Sequence, residues 1–226
     1  MFLEAPRQQL QEVYVSESFL EKCSCREHLE EVGYEVVSDS VFSKISDTCT
    51  PQGVLCVLKQ FHYNIEEMLR DKAPLFLLLE NIQDPGNLGT MLRTGEGAGV
   101  SGIIMSRDTV DLYNPKVIRS TMGSIYRVPF YYAEDFAAAV HQVQQAGVSV
   151  YAAHLRGKNS YACQDYTKGT AFLIGNEGNG LREETAELAD CYIRIPMEGK
   201  VESLNAAVAS SILMYEAHRQ RATIEK

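Results

Sequence analysis

The chain has 226 residues, 45% of them hydrophobic and 23% charged, an ordinary globular composition for one large domain or two modest ones. Its formal net charge is −9, with 6 basic and 12 acidic side chains in residues 1–70 and 15 and 18 in residues 71–226. Composition alone therefore does not suggest nucleic acid, whose partners usually present a basic face. No apolar run approaches the roughly 18 residues of a membrane span. The opening residues lack the basic and apolar regions of a secretory leader, so a cytoplasmic location with no membrane partner is expected. Six cysteines, at 23, 25, 49, 56, 163 and 191, offer a single close pair; they are read as reduced thiols, with neither disulfides nor a metal expected.

Residues 12–16 (EVYVS) read as a strand, and residues 18–31 as a helix around Leu20 and Leu29, ended by Gly33. A strand over 34–38, a short helix capped by Asp39 or Ser40, and a strand over 54–58 after the Pro51-Gln52-Gly53 turn complete a small α/β unit. Residues 60–72 are polar and lie between two apolar runs, which gives a unit over 1–62, a linker over 63–72 and a second domain over 73–226. In that domain the continuous run Leu75–Leu79 is the pattern of a strand buried on both faces of a parallel sheet. A helix over about 86–97, a strand over 102–105, a helix over 114–123, an extended stretch over 128–132 and a helix over 134–146 follow. Strands over 148–152 and 171–174, a helix from about 182, a strand over 192–195 and a helix over 203–219 complete the chain. The fold class is α/β, with a mostly parallel sheet covered by helices on both faces.

Three glycine-bearing turns follow apolar strands here, and in such sheets ligands bind beyond the carboxyl ends of strands. The first spans residues 80–94, with Asn87 near a helix N-terminus, where a side-chain oxygen satisfies free amides. Arg93, six residues on, is expected on nearly the same face as Asn87 and Thr90; by spacing alone it reads equally as a solvated surface residue. The second, residues 174–180, has three glycines in six residues, which lets backbone approach a ligand. Glu177 within it suits a cationic or hydroxyl-bearing ligand rather than a phosphate, although a flexible turn capped by Glu177 is the plain alternative. The third, residues 195–205, leads into the last helix, which Ser203 is placed to cap. The small residues Ala206, Ala207, Ala209, Ser210 and Ser211 allow close packing there; read alone, this segment is a helix start. Gly97-Ala98-Gly99-Val100-Ser101-Gly102 matches G-x-G-x-x-G, but it leaves a helix and enters a strand, the reverse of a dinucleotide site, which is therefore excluded.

Taken in order, the three turns resemble the signature motifs of the SpoU-type (TrmH-like) RNA 2′-O-ribose methyltransferases of the SPOUT superfamily. They read N-x-x-D-P-G-N-x-G-x-x-x-R-T at 81–94, I-G-N-E-G-x-G at 174–180 and I-P-M-x-G-x-V-E-S-L-N at 195–205, and the resemblance covers 74–219. Residues 2–7 and 12–16 resemble the opening of the small ribosomal-protein-like α/β substrate-binding domain often fused ahead of it, shortened between the two by a helix's length.

The resemblance implies an α/β-knot, a deep trefoil knot in a mostly parallel sheet flanked by helices. It implies S-adenosylmethionine bent against Ile174, Gly175, Asn176, Gly178, Ile195, Met197, Gly199, Ser203 and Leu204, with no metal. It further implies a homodimer through the C-terminal domain, packed on the first-motif helix and the last helix, a role the small residues of 206–211 fit. Arg93, Asn87, Glu177, Ser203 and Asn205 are the implied catalytic set, with Arg93 working across the subunit interface. A guanidinium stays protonated, so Arg93 is expected to align the target through a phosphate. Lys116, Arg119 and Arg127 form a local basic cluster and, with Arg93, are expected on RNA phosphates. The implied activity is methyl transfer to a ribose 2′-hydroxyl of structured RNA, ribosomal RNA before transfer RNA. The alternatives are a catalytically inactive RNA-binding relative, a knotted methyltransferase acting on a base, and an unrelated nucleotide-binding α/β protein.

Overall fold

Val13 and Val15 are buried along β1 (Leu10–Ser16) while Glu12 is exposed, the alternation of a half-buried strand. In the computed structural model, which describes residues 1–224, β1 lies parallel to β2 (Glu35–Val37) and antiparallel to β3 (Val54–Leu58). Where one helix was expected over 18–31 there are two, α1 (Glu17–Lys22) and α2 (Arg26–Val32), separated at the extended Cys23. The break lets Phe19 and Leu20 from one helix and Leu29 from the other reach the same small core. Helix α3 (Asp39–Ile45) is capped by Ser38, not by Asp39 or Ser40; Asp39 instead accepts from the Ser18 hydroxyl at 2.7 Å. These elements form one unit, Met1–Phe61, and the chain from His62 onward forms a second.

The second unit begins with α4 (Ile65–Met68). The stretch 63–72, whose polarity suggests a linker, thus carries a helical turn whose Ile65 and Met68 are buried in the core. Two apolar residues three apart anchor one face, while Glu66 and Glu67 stay exposed. Next, β4 (Leu75–Leu79) is buried along its whole length. There follow α5 (Pro85–Ala98), β5 (Gly102–Ser106), α6 (Pro115–Thr121), β6 (Phe130–Ala133), α7 (Phe136–Gln145), β7 (Ser149–Ala153) and the two-residue β8 (Asn159–Ser160). Then come β9 (Thr170–Ile174), α8 (Glu183–Ala186), β10 (Cys191–Arg194) and α9 (Ala206–Ile224).

These strands form a seven-stranded sheet in the order β6-β5-β4-β9-β7-β10-β8, parallel at every pairing. Phe76, Leu78, Ile104, Ala171 and Leu173 pack from one face onto Ala139, Val140 and Val143 of α7. The alternate residues Leu75, Leu77 and Leu79 point to the opposite face. Helix α5 packs on α6 and α9, and α9 packs on β9. In the G-x-G-x-x-G run, Gly99 (φ +76°) is the left-handed stop of α5, and Val100 N donates to Gly95 O at 2.8 Å. Among the described residues no helix is long and apolar enough to cross a membrane. What positions the site is strand order: β9 inserts between β4 and β7, so the carboxyl ends of β7, β9 and β10 come side by side at a topological switch point.

Candidate active site

Asp84, with Pro85 at the first helical position, caps α5 by accepting from Asn87 N at 2.7 Å. The cap is Asp84 and not Asn87, which leaves the Asn87 side chain free to bridge. Its Nδ2 donates to Glu177 Oε1 at 2.9 Å, and its Oδ1 accepts from Asn205 Nδ2 at 3.0 Å. The orientation of this line is forced from both ends. Glu177 is a carboxylate and only accepts, while Asn205 Oδ1 is already accepting from Ala207 N (2.9 Å) and Val208 N (3.2 Å) at the start of α9. Asn205, and not Ser203, is therefore the cap of the last helix. Glu177 also accepts from Gln83 N (3.1 Å) and Asp84 N (3.0 Å). Burial alone would raise its carboxyl pKa, but the Asn87 bond and the backbone amides outweigh burial and hold it below the ordinary carboxylate range. All three glycine-bearing segments are thus joined by side-chain hydrogen bonds.

The loop after β9 is closed on itself. A Cβ on Gly175 would lie 2.2 Å from Gly180 C and Leu181 N, and Asn176 and Gly180 exchange backbone hydrogen bonds of 3.0 and 2.9 Å. Gly175 is therefore demanded by the loop's own backbone rather than by a ligand. Gly178 and Gly199, by contrast, have nothing closer than 3.5 and 4.0 Å to an added Cβ. Behind the loop, Glu80 is 1% exposed and accepts from Arg182 N at 2.8 Å and Thr185 Oγ1 at 2.5 Å. Arg182 also pairs with Asp108. The front of the loop is held by Asn176 Nδ2, which donates to Asn81 O at 2.8 Å.

A cavity of about 320 Å³ opens at the carboxyl ends of β7, β9 and β10. Every residue expected at a cofactor lines it except Gly199. Ala153, the last residue of β7, and His154 and Leu155 just after it also line it. Sequence reasoning missed them because the turn directly after β7 carries no glycine-rich signal, and only sheet order puts β7 between β9 and β10. Its apolar walls, Ile174, Ile193, Ile195 and Leu204, fit a flat adenosyl group, and Glu177 and Glu202 suit a sulfonium cation. A second depression shares Asn176, Glu177 and Gly178 with this cavity and is bounded by Gln83, Asp84, Pro85, Asn87 and Asn205. Glu177 therefore borders both.

Other expected residues lie elsewhere. Arg93 is exposed, lines neither depression, and its side chain makes no hydrogen bond or ion pair among the described residues. Six residues at the helical repeat carry it about 120° round α5 from Asn87, so the two do not share a face. Lys116 and Arg119 are exposed on α6, but Arg127 is bound to Glu96 by two guanidinium contacts. That pairing holds the Glu96 carboxyl below its ordinary range. Of the small residues in α9, Ala206, Ala207 and Ser210 are buried within this chain, and Ala206 and Ala209 line the cavity. The small size of Ala206, Ala207 and Ser210 thus serves packing within this chain.

A parallel sheet with a cavity of mixed apolar and polar lining at its switch point, bordered by a polar relay from three loops, defines an α/β protein built to hold an organic cofactor beside a second substrate. The model of the SpoU rRNA Methylase family matches residues 74–215. The chain is 35% identical over 180 residues to the 23S rRNA (guanosine(2553)-2'-O)-methyltransferase RlmP of Bacillus subtilis, covering 80% of this chain and 70% of that one. It is 33% identical over 184 residues to the 23S rRNA (guanosine-2'-O-)-methyltransferase RlmB of Ralstonia nicotianae, covering 80% and 74%. It also superposes, at a TM-score of 0.80 and 33% identity over 93% of this chain and 80% of the other, on the AdoMet-bound rRNA methyltransferase from Sinorhizobium meliloti. The chain belongs to the SpoU rRNA methylase family and is an S-adenosylmethionine-dependent RNA methyltransferase.

Proposed function

We propose that this protein transfers a methyl group from S-adenosylmethionine to a ribose 2′-hydroxyl of ribosomal RNA. The observation that carries this reading is the hydrogen-bonded line Asn205–Asn87–Glu177, which joins three separate segments beside the cavity. RlmP and RlmB are named for that reaction on 23S rRNA.

The bound cofactor supplies an electrophilic methyl group on a sulfonium. The protein's task is to place the hydroxyl oxygen in line behind it. Ile174, Ile195 and Leu204 would hold the adenosyl group and exclude water, and Gly178 would leave it room. Ser203, Asn87 and Asn205 orient the ribose, while Glu177 fixes the loop that carries the cofactor. Arg93 stays protonated and binds a phosphate next to the target instead of taking the hydroxyl proton. Because Arg93 lies off the cavity of its own chain, we assign it to the cavity of a second copy. The homodimer packs through α5 and the exposed side of α9, where Val208 and Tyr215 are half exposed. Lys116 and Arg119 hold further phosphates; Arg127, committed to Glu96, is assigned none. Residues 1–61 serve as the RNA substrate-binding domain, the chain through β9 and β10 to α9 is threaded as a deep trefoil knot, and the protein works in the cytoplasm.

The test is transfer of a labelled methyl group from S-adenosylmethionine into RNA from cells lacking this protein, with products digested to nucleosides and Arg93→Ala run in parallel. Label in a 2′-O-methylnucleoside of ribosomal RNA, lost in the variant, is the expected result. Label on a base overturns the acceptor, and label confined to transfer RNA overturns the substrate. A protein that neither transfers label nor binds the cofactor is the inactive RNA-binding relative.

A further inference from the structure

His154, at the exit of β7, lines the cavity and is half-buried. Its own turn decides which ring nitrogen bears the hydrogen. The Arg156 amide lies 3.1 Å from His154 Nδ1, and a backbone N–H only donates, so Nδ1 accepts and the neutral ring carries its hydrogen on Nε2. Burial, and then the charge of Arg156, lower the imidazole's pKa and favour that neutral form. The ring is fixed by packing as well. Its centroid lies 5.0 Å from that of Tyr192, Arg156 sits over Tyr192 at 5.9 Å, and Glu183 holds Arg156 at 2.5 Å. His154 N also donates to Ile193 O at 3.0 Å, tying the turn to β10. Among the described residues Nε2 has no hydrogen-bond partner. A fixed, neutral N–H donor is thus left over at a cavity whose walls include Ile174, Leu181 and Ile193.

We propose that His154 is a cofactor-contacting specificity residue, whose Nε2–H donates a hydrogen bond to the adenosyl part of bound S-adenosylmethionine. This rests on the S-adenosylmethionine reading of the cavity. A neutral donor between apolar walls suits the ring nitrogens and hydroxyls of adenosine. The methionyl carboxylate is better served by a cation such as Arg194, since charge-assisted bonds are the stronger ones.

The test is calorimetric titration of the full-length protein with S-adenosylmethionine and with 5′-methylthioadenosine, which keeps the adenosyl group and lacks the amino acid. His154→Phe keeps a ring against Tyr192 without the donor, and His154→Gln restores an N–H at similar reach. His154→Phe is expected to bind both ligands about 5- to 10-fold more weakly, the scale of one lost hydrogen bond, and His154→Gln to recover most of the loss. In 15N-labelled wild-type protein, the His154 Nε2–H signal is expected to shift on addition of either ligand. Unchanged affinity in His154→Phe overturns the proposal. So does a penalty seen with S-adenosylmethionine but absent with methylthioadenosine, or a His154→Gln variant as weak as His154→Phe, which would mean packing alone. A wild-type protein that binds neither ligand overturns the reading of the cavity instead.

Discussion

Asn87 both accepts and donates, and its neighbours leave it no choice of direction. Asn87→Asp keeps the size but cannot donate to Glu177 and sets two carboxylates side by side. Methyl transfer at saturating cofactor is expected to fall about 10- to 100-fold, as for a lost hydrogen bond to a charged group, which single-turnover measurement checks. The Glu177 carboxyl has a pKa below its unfolded value. Its stabilising contribution is therefore fully present above the unfolded pKa of about 4.3, and it is lost as pH falls through the lower folded value. Melting temperatures compared between wild type and Glu177→Gln from pH 7 down to pH 3 are expected to converge only at the acid end. At this scale the sequence named Asn87, Glu177 and Asn205, but not what each does. Asn87 reads as a cap and Ser203 as another because local spacing shows which side chains can reach an amide, not which distant partner already holds them.

Among the elements, the loop between β9 and α8 is set from both ends, by Asn176 on Asn81 and by Glu80 on Arg182 and Thr185. Glu80→Gln puts an amide donor against donors in a buried site. It is expected to destabilise the protein by about 1–3 kcal/mol, read from equilibrium urea unfolding. Gly175→Ala forces a Cβ onto the Gly180–Leu181 backbone. Loss of cofactor binding is expected, with a stability cost of about 1–3 kcal/mol and an otherwise unchanged far-UV circular dichroism spectrum. The long elements were legible because β4 is a continuous apolar run and α5 and α9 are 14 and 19 residues long and follow the glycine-bearing turns. The break between α1 and α2, the turn α4 and the two-residue β8 were not. Each is too short to hold a period and forms because a core or a neighbouring strand already waits for it.

For the whole molecule, the position of Arg93 is the decisive feature. If Arg93 serves a second copy, mixing Arg93→Ala with Glu177→Ala protein restores methyl transfer, because the first chain's cavity keeps Glu177 and receives the other chain's arginine. If Arg93 serves its own cavity, the mixture stays as inactive as either variant. Residues 62–226 alone hold every cavity-lining residue, so that fragment is expected to bind S-adenosylmethionine with the affinity of the full chain, as measured by calorimetry.

The sequence by itself determined the α/β class and the three loops that carry the site, because these follow from local turn chemistry and apolar pattern, and the family resemblance pointed to eight residues that line the cavity. Tertiary structure alone decided that β7 stands between β9 and β10 and so brings His154 to the cavity. It also decided that Glu96 claims Arg127 and that Ala206, Ala207 and Ser210 of α9 are buried within the chain. Each of these depends on which distant segment occupies the neighbouring space. Residues far apart in the chain compete for the same partners only once the sheet order is set, and no local spacing records the outcome.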